Sequence, residues 1–398
     1  MLRSLELKKT AHERLTGGSG ELFRSDVDGS LKSLVPGEWI LLRDSEKKRV
    51  YLAFANPLVP EGSAVIRVVE HLRSAPKLDV AESYVTTCVR RAIETRKVWK
   101  SFDTGCRLVY GDVDGLPGLV VDGYAECNLA QINTAGIERF RDLVRNLVTE
   151  VTGRPTFIID NPKLRSREVL PHHHDAIPVS ELKVLENGFR YTLPMKNVQK
   201  AGWYYDHREN RLKLEQRLRD FAGAKASGLD LFCYAGAWGL HLLRAGVQNC
   251  IFVDQAPLQD LVEGALAENS FDGRGRFVRA DVFDWLDEAA KLGSLFDVIV
   301  SDPPAFAKSP KEKAAAIEGY RKLHRKVLAL AAPGALVAFA SCTYYVDLDE
   351  FDRTISHAAQ AAGRRHQILD IGFQGSDHPV RSLAARGNYI KYVLTRVE

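Results

Sequence analysis

The sequence predicts an α/β protein: a C-terminal doubly wound, mostly parallel seven-stranded sheet, preceded by a small β-rich domain and a central α+β domain. Three observations carry that reading. From Asp206 onward, short apolar runs alternate with helical stretches, as in strands buried on both faces of a parallel sheet. The first seventy residues instead break into short strands between turn signals. The length of 398 residues suits two or three domains, each able to bury a core without disulfides. The expected boundaries are 1–72, 73–190 and 191–398.

In the first domain, strands fall at Val35–Leu42, Arg49–Ala53 and Ser63–Val69, after a polar stretch from Thr16 to Gly20. A helical pattern runs from about Val80 to Trp99. Arg107–Tyr110 and Leu119–Asp122 read as strands joined by Gly111-Asp112-Val113-Asp114-Gly115-Leu116-Pro117-Gly118, whose glycines and proline spell a hairpin loop. Cys127–Ile132 adds a third strand, Ile137–Val151 has helical spacing, and Thr156–Asp160 reads as another strand. Asn161–Glu181 has neither period and is expected to hold loops. Its three consecutive histidines, His172 to His174, point in different directions and make a poor metal site. The C-terminal strands are Gly228–Cys233, Cys250–Asp254, Arg276–Ala280, Phe296–Asp302, Ala335–Ser341, His366–Phe373 and Tyr389–Arg396. Right-handed crossovers make their sheet doubly wound. The last connection is too short for a crossover, so the final two strands should pair antiparallel at one edge.

Composition narrows the function classes. Apolar residues at 45% and charged residues at 27% are globular values. The apolar stretch Val327–Ala340 is broken by Pro333-Gly334 and is too short for a membrane span. Glu6, Lys8 and Lys9 stand where a signal peptide would be apolar, so a cytoplasmic location without a membrane partner is expected. Six cysteines show no CxxC pair and no zinc-type spacing, so they are expected to be thiols and no metal is expected. A net charge of +4 is compatible with a polyanionic partner. Arg90, Arg91, Arg96, Lys97 and Lys100, against Glu94 alone, form a stripe that suits either phosphates or a solvated helix face.

Ligands of doubly wound sheets bind beyond the carboxyl ends of the strands. The first strand ends in Asp230-Leu231-Phe232-Cys233-Tyr234-Ala235-Gly236-Ala237-Trp238-Gly239, where Gly236 and Gly239 let backbone approach a ligand. Asp254 ends the second strand, where an acid would accept hydrogen bonds from ribose hydroxyls. The glycine pattern is GxxG and lacks the GxGxxG grip on a pyrophosphate, which favours S-adenosylmethionine over a nicotinamide dinucleotide. Asp281 ends the third strand, suited to an adenine amino group. Asp302-Pro303-Pro304-Ala305-Phe306 ends the fourth, its prolines fixing the backbone so that Asp302 can meet a nucleobase edge while Phe306 stacks on its face. Ser341-Cys342-Thr343 ends the fifth. Cytosine C5 is too weak a nucleophile to take a methyl group unaided, and thiolate addition at C6 by Cys342 would activate it.

These elements together resemble the bacterial 23S ribosomal RNA cytosine-C5 methyltransferases of the RlmI type. The resemblance rests on Gly111–Gly118, on Lys200-Ala201-Gly202-Trp203-Tyr204-Tyr205-Asp206-His207-Arg208, on Phe232–Gly236, Asp302–Phe306 and Ser341-Cys342, and on Asp377-His378-Pro379-Val380. It implies a PUA domain over the first segment, a central α+β domain and a C-terminal class I methyltransferase domain. It implies that Tyr205, Asp206 and Arg208 line the S-adenosylmethionine pocket. Tyr234, Ala235 and Gly236 would hold the methionine moiety; Asp230, Asp254, Gln255, Asp281 and Asp302 complete the cofactor site. Cys342 and Asp302 would be catalytic, and Phe306, Lys200 and His378 would meet the RNA. Ala305 stands where related two-cysteine enzymes carry their second cysteine, and Ala201 where the family often has threonine.

The leading expectation is therefore methylation of cytosine C5 in large-subunit ribosomal RNA through a Cys342–C6 adduct. Purine N-methylation, at an exocyclic amine or guanine N7, is the second reading, and it leaves Cys342 without a task. A non-catalytic RNA-binding or ribosome-assembly factor is the third. The oligomeric state stays open, with a homodimer as one option.

Overall fold

The computed structural model describes every residue except 1, 17–18, 45–48, 77–78, 100–104, 196–201, 224 and 381–387. The chain forms two compact units. The first comprises Met1–Lys183, Pro194–Trp203 and Asp377–Gly387, and the second Val184–Leu193, Tyr204–Ser376 and Asn388–Glu398.

In the first unit, β1 (Arg3–Leu7), β2 (Glu21–Leu22), β3 (Val27–Asp28), β4 (Glu38–Arg43), β5 (Val50–Ala55) and β6 (Ile66–Leu72) form one sheet in the order β2-β6-β5-β4-β1-β3. Its β1–β4 pairing is parallel and the rest antiparallel. The uninterrupted apolar run of β5 has a simple cause. Alternate residues serve two cores: Ala53 and Ala55 join Ile40 and Leu42 on one face, while Leu52 and Phe54 join Trp39 and Leu41 on the other. The second core also takes α2 (Ala81–Lys97), through Val85, Val89 and Ile93, and a sheet of β7 (Cys106–Tyr110), β8 (Leu119–Gly123), β9 (Asn128–Ile132) and β10 (Thr156–Ile158). A short helix α1 (Lys9–Thr16), whose Ala11 and Leu15 pack on the first core, follows β1; the sequence reading includes neither element.

Three expectations change in this unit. Ile137–Val151 is two helices, α3 (Ala135–Glu138) and α4 (Arg141–Thr152), because Phe140 leaves helical geometry and packs its ring edge-on against Trp39 at 5.8 Å. The stretch read as loops contains α5 (Pro162–Arg167), with Pro162 in its first turn and the Asn161 side chain capping Leu164 N–H at 3.3 Å. The basic stripe of α2 loses one member to the interior: Arg96 is buried and paired with Asp114 at 2.7 Å, while Arg90, Arg91 and Lys97 stay exposed, Arg90 paired with Glu150 at 2.9 Å and Lys97 with Glu94 at 3.0 Å. Lys100 lies outside the described residues. The histidine run engages two aspartates. His172 Nδ1 is 3.2 Å from Asp160, His173 Nε2 is 2.8 Å from Asp175, and His174 Nδ1 accepts the Asp160 N–H.

A hairpin of β11 (Glu181–Glu186) and β12 (Phe189–Pro194) leads into the second unit, turning at Asn187-Gly188, both at positive φ. The second unit then alternates α6 (Arg208–Asp220), β13 (Ser227–Leu231), α7 (Ala237–Arg244), β14 (Asn249–Asp254), α8 (Gln259–Glu268), β15 (Gly275–Arg279), α9 (Val282–Lys291), β16 (Phe296–Ser301), α10 (Lys313–Ala329), β17 (Ala331–Ser341), α11 (Leu348–Ala361), β18 (His366–Gly372) and β19 (Lys391–Val397). The seven strands order as β15-β14-β13-β16-β17-β19-β18, parallel through β17, with β19 antiparallel between β17 and the edge strand β18. The order reverses between β13 and β16, the crevice where such sheets bind ligands. Among the described residues no helix is long and apolar enough to cross a membrane.

Candidate active site

The apolar run Leu229–Leu231 drives β13 through the core. Beyond it the chain must turn sharply into α7. Phe232, Tyr234 and Gly236 all have positive φ, at 61°, 48° and 73°. Left-handed backbone is unfavourable for Phe and Tyr and persists only where neighbours enforce it. Here Cys233 N–H donates to the Val253 carbonyl, Tyr234 N–H to Asp254 Oδ2 at 3.1 Å, and Gly236 N–H to the Cys233 carbonyl at 2.8 Å. Gly239 is required by packing, since a Cβ there would fall 2.1 Å from the Phe252 ring.

Acids line the strand ends. Asp230, fully buried, accepts Gly239 N–H on Oδ2 at 2.8 Å. Burial pushes its carboxyl well above the usual carboxylate range, and nearby Asp302 and Asp254 push the same way. Its Oδ1 is buried with no hydrogen-bond partner among the described residues, an orphaned acceptor suited to a ligand's donor. Asp254 is half-buried and also accepts Ala256 N–H at 2.9 Å. Gln255 beside it is exposed. Asp281 caps α9, accepting Phe283 N–H at 2.8 Å and Asp284 N–H at 3.2 Å on one oxygen.

Asp302 is half-buried after β16, held by one residue and bordered by another, to neither of which the sequence reading gave a task. Trp238 Nε1–H donates to its Oδ2 at 2.9 Å, and His207 Nε2 stands 3.6 Å from Oδ1. Asn210 donates to the Phe373 carbonyl at 2.9 Å and lies 3.2 Å from His207 Nδ1, which fixes the ring with Nε2 toward Asp302. Trp238 stacks on Tyr392 at 5.8 Å. Its signal was present in Gly236-Ala237-Trp238-Gly239, because a buried indole needs an acceptor.

Tyr205 is buried with the Arg208 guanidinium 4.8 Å from its ring, and Arg208 lies 3.5 Å from Glu186. Asp206 accepts the Tyr389 hydroxyl at 2.7 Å, and Tyr204 meets Tyr234 edge-on at 5.3 Å. The fifth strand end closes the group. Cys342 is the one cysteine of six that is not fully buried, and its Sγ lies 4.0 Å from the Pro303 carbonyl oxygen. Tyr320 fixes its neighbours, with its hydroxyl 2.8 Å from Ser341 Oγ and 2.5 Å from Thr343 Oγ1. Thr343 Oγ1 also accepts Phe306 N–H at 3.0 Å, and the Phe306 ring stacks on Tyr320 at 4.6 Å and meets Phe283 at 6.5 Å.

The structure thus gathers Asp230, Tyr234, Ala235, Gly236, Asp254, Asp302, Phe306 and Cys342 at adjoining strand ends of one sheet. His378 belongs to the first unit, buried against Tyr110 at 5.1 Å with Nδ1 2.8 Å from Asp377. Lys200 and Ala201 lie outside the described residues. Among the described residues no three His, Cys, Asp or Glu side chains form a metal-binding group.

Known proteins resemble this chain in sequence and fold. Residues 166–365 match the S-adenosylmethionine-dependent methyltransferase family. The chain is 33% identical over 303 residues to ribosomal RNA large subunit methyltransferase I of Aeromonas salmonicida, covering 74% of each chain. It is 28% identical over 370 residues to the protein of that name from Pseudoalteromonas translucida, covering 91% of each. Two solved structures share the fold, each 20% identical and covering 99% of this chain and 100% of the other. SMU.776, in complex with SAH, superposes with a TM-score of 0.79, and a chain from Streptococcus mutans with 0.76. The strained β13 turn, the orphaned Asp230 oxygen and the Asp254 carboxylate fit S-adenosylmethionine, and with half its length matching the pattern, this chain belongs to the S-adenosylmethionine-dependent methyltransferase family.

Proposed function

We propose that the protein methylates C5 of a cytosine in large-subunit ribosomal RNA, in the cytoplasm, with Cys342 as covalent nucleophile. The observation that carries the reading is the partly exposed Cys342 thiol beside the Asp302-Pro303-Pro304 turn, with Sγ 4.0 Å from the Pro303 oxygen. The names of the relatives, ribosomal RNA large subunit methyltransferase I, support the substrate class.

When bound, S-adenosylmethionine supplies an electrophilic methyl group on a sulfonium and departs as the neutral thioether. Asp230 and the 234–236 backbone would hold its methionine part, Asp254 its ribose and Asp281 its adenine. The residues of this chain handle the base. Cys342 Sγ, as thiolate, forms a bond to cytosine C6; the C5–C6 π pair becomes available at C5, which takes the methyl. A base or water then removes the C5 proton, that electron pair restores the C5–C6 double bond, and the C6–S bond breaks to return the thiolate. Asp302, ordered by Trp238, would accept the cytosine amino group, and Phe306 would stack on the ring. Residues 1–72 would form a PUA-like domain and 73–190 a central domain, with RNA as their partner.

RNA containing 5-fluorocytosine tests this reading, because fluorine at C5 blocks the elimination. The wild type is expected to form an adduct stable to denaturation, and Cys342→Ala to form none and to lose methyl transfer. An adduct that survives Cys342→Ala, or full transfer by that variant to a purine nitrogen, would refute the assignment.

A further inference from the structure

The mechanism above leaves one buried charge unused. Lys391 on β19 is 2% exposed and pairs in register with Ser341 of β17, the residue before Cys342. Its ammonium donates to the carbonyl of Thr343, the residue after Cys342, at 2.5 Å, and to the Tyr389 carbonyl at 2.9 Å. The cysteine is bracketed on both sides. An ammonium taken out of water is costly unless an anion compensates it, and two carbonyls supply only dipoles.

The surrounding groups narrow the choice of anion. Among the described residues no carboxylate lies within ion-pair distance of Lys391; Asp347 and Glu350 act on it more weakly than Cys342. Glu350 is paired with Lys313 at 2.7 Å, and Asp347 accepts Glu350 N–H as the cap of α11. Asp302 carries the wrong sign to favour a thiolate. Burial holds the Tyr204 and Tyr320 phenols above their usual range, so they stay neutral. Lys313 is taken up by Glu350, which leaves Lys391 as the positive charge beside the Cys342 segment.

Resting on the reading of Cys342 as nucleophile, we propose that Lys391 is a positioning residue whose buried ammonium holds Cys342 as a thiolate, before the sulfur adds to C6 and again as it is expelled. The proton balance is simple: the thiol proton leaves to solvent and Lys391 keeps its own. Burial lowers Lys391 to about 8, with Cys342 opposing that shift, so its positive charge is present at neutral pH and fades above about 8.

The test is alkylation of the full-length protein by iodoacetamide, without RNA, from about pH 5 to about pH 10, following the Cys342 peptide by mass spectrometry. The wild-type midpoint is expected below the ordinary thiol value of about 8.5. Lys391→Met should raise it by at least about one pH unit, a roughly tenfold fall in thiolate at pH 7, while Lys391→Arg, which keeps the charge, should stay near wild type. A wild-type midpoint at or above the ordinary value overturns the proposal, whether or not the methionine variant folds. So does a folded Lys391→Met that titrates like wild type. Trapping with 5-fluorocytosine RNA separates the two claims. Absence of an adduct in the wild type refutes the Cys342 reading, whereas an adduct in Lys391→Met with wild-type pH dependence removes Lys391 alone.

Discussion

Trp238 shows how one side chain can serve a site without meeting a substrate. Its ring stacks on Tyr392 and borders His207, while its N–H fixes one oxygen of Asp302 at 2.9 Å. That leaves Asp302 Oδ1 turned to His207, and the carboxylate cannot swing without breaking a charge-assisted bond. Trp238→Phe should keep much of the stacking and remove the donor. A hydrogen bond to a charged group contributes about 1.5–3 kcal/mol, so methyl transfer should slow by roughly 10- to 100-fold. Calorimetry of S-adenosylmethionine binding should show little change, because Asp302 is assigned chiefly to the base. An equal loss in binding would mean that the pair serves the cofactor instead.

At the scale of elements, Asp281 joins two tasks in one residue: it caps α9 and stands at the end of β15 where adenine is expected. Asp281→Ala should lose both, about 1 kcal/mol of stability and a share of cofactor affinity. Asp281→Ser keeps a capping oxygen, so its melting temperature should stay near wild type while the affinity still falls, as read by thermal melts and calorimetry together. Elements of this kind were legible because buried parallel strands must be apolar and their ends must turn. The seven C-terminal strands lie within a few residues of their expected positions, and the last two pair antiparallel. The hairpin β11–β12 was overlooked despite a plain signal, Asn187-Gly188 flanked by alternating Leu182, Val184, Phe189, Tyr191 and Leu193. Other features could not be read. The positive φ of Phe232 and Tyr234 is enforced by contacts from Val253 and Asp254 on another strand, and Lys391 meets the Cys342 segment only through β17–β19 register. Long-range pairing of this sort leaves no local pattern.

For the whole molecule, acid should act on the catalytic unit through one buried hub. Glu215 on α6 is 2% exposed, with His241 Nδ1 at 2.5 Å and Arg244 Nη2 at 2.6 Å on α7, and Arg219 at 2.5 Å. Burial pushes its carboxyl up, but the hydrogen bonds from His241 and Arg244 outweigh that and bring it down to about 2 from 4.5. Burial holds His241 below its usual value. Both shifts act in the same direction. A carboxylate whose folded value is depressed contributes stability that is complete above 4.5 and is lost as pH falls toward about 2. A histidine that resists protonation in the fold takes up its proton more readily when unfolded, so stability also falls as pH drops below 6.5. Glu215→Leu should therefore cost about 1–3 kcal/mol near neutrality, because it leaves the buried His241 ring and the partly exposed Arg244 without their shared acceptor. The gap from wild type should narrow steadily as the pH approaches 2, where the native carboxylate is itself protonated. Hydrogen exchange across that range should show protection lost first in α6 and α7. Since α6 begins at Arg208, directly after Tyr205-Asp206-His207, the same acid step should loosen the segment proposed to line the cofactor pocket, and S-adenosylmethionine binding should fall with it. If protection in the first unit's β4 and β5 collapsed at the same pH as α6, the hub would not be what sets the acid limit.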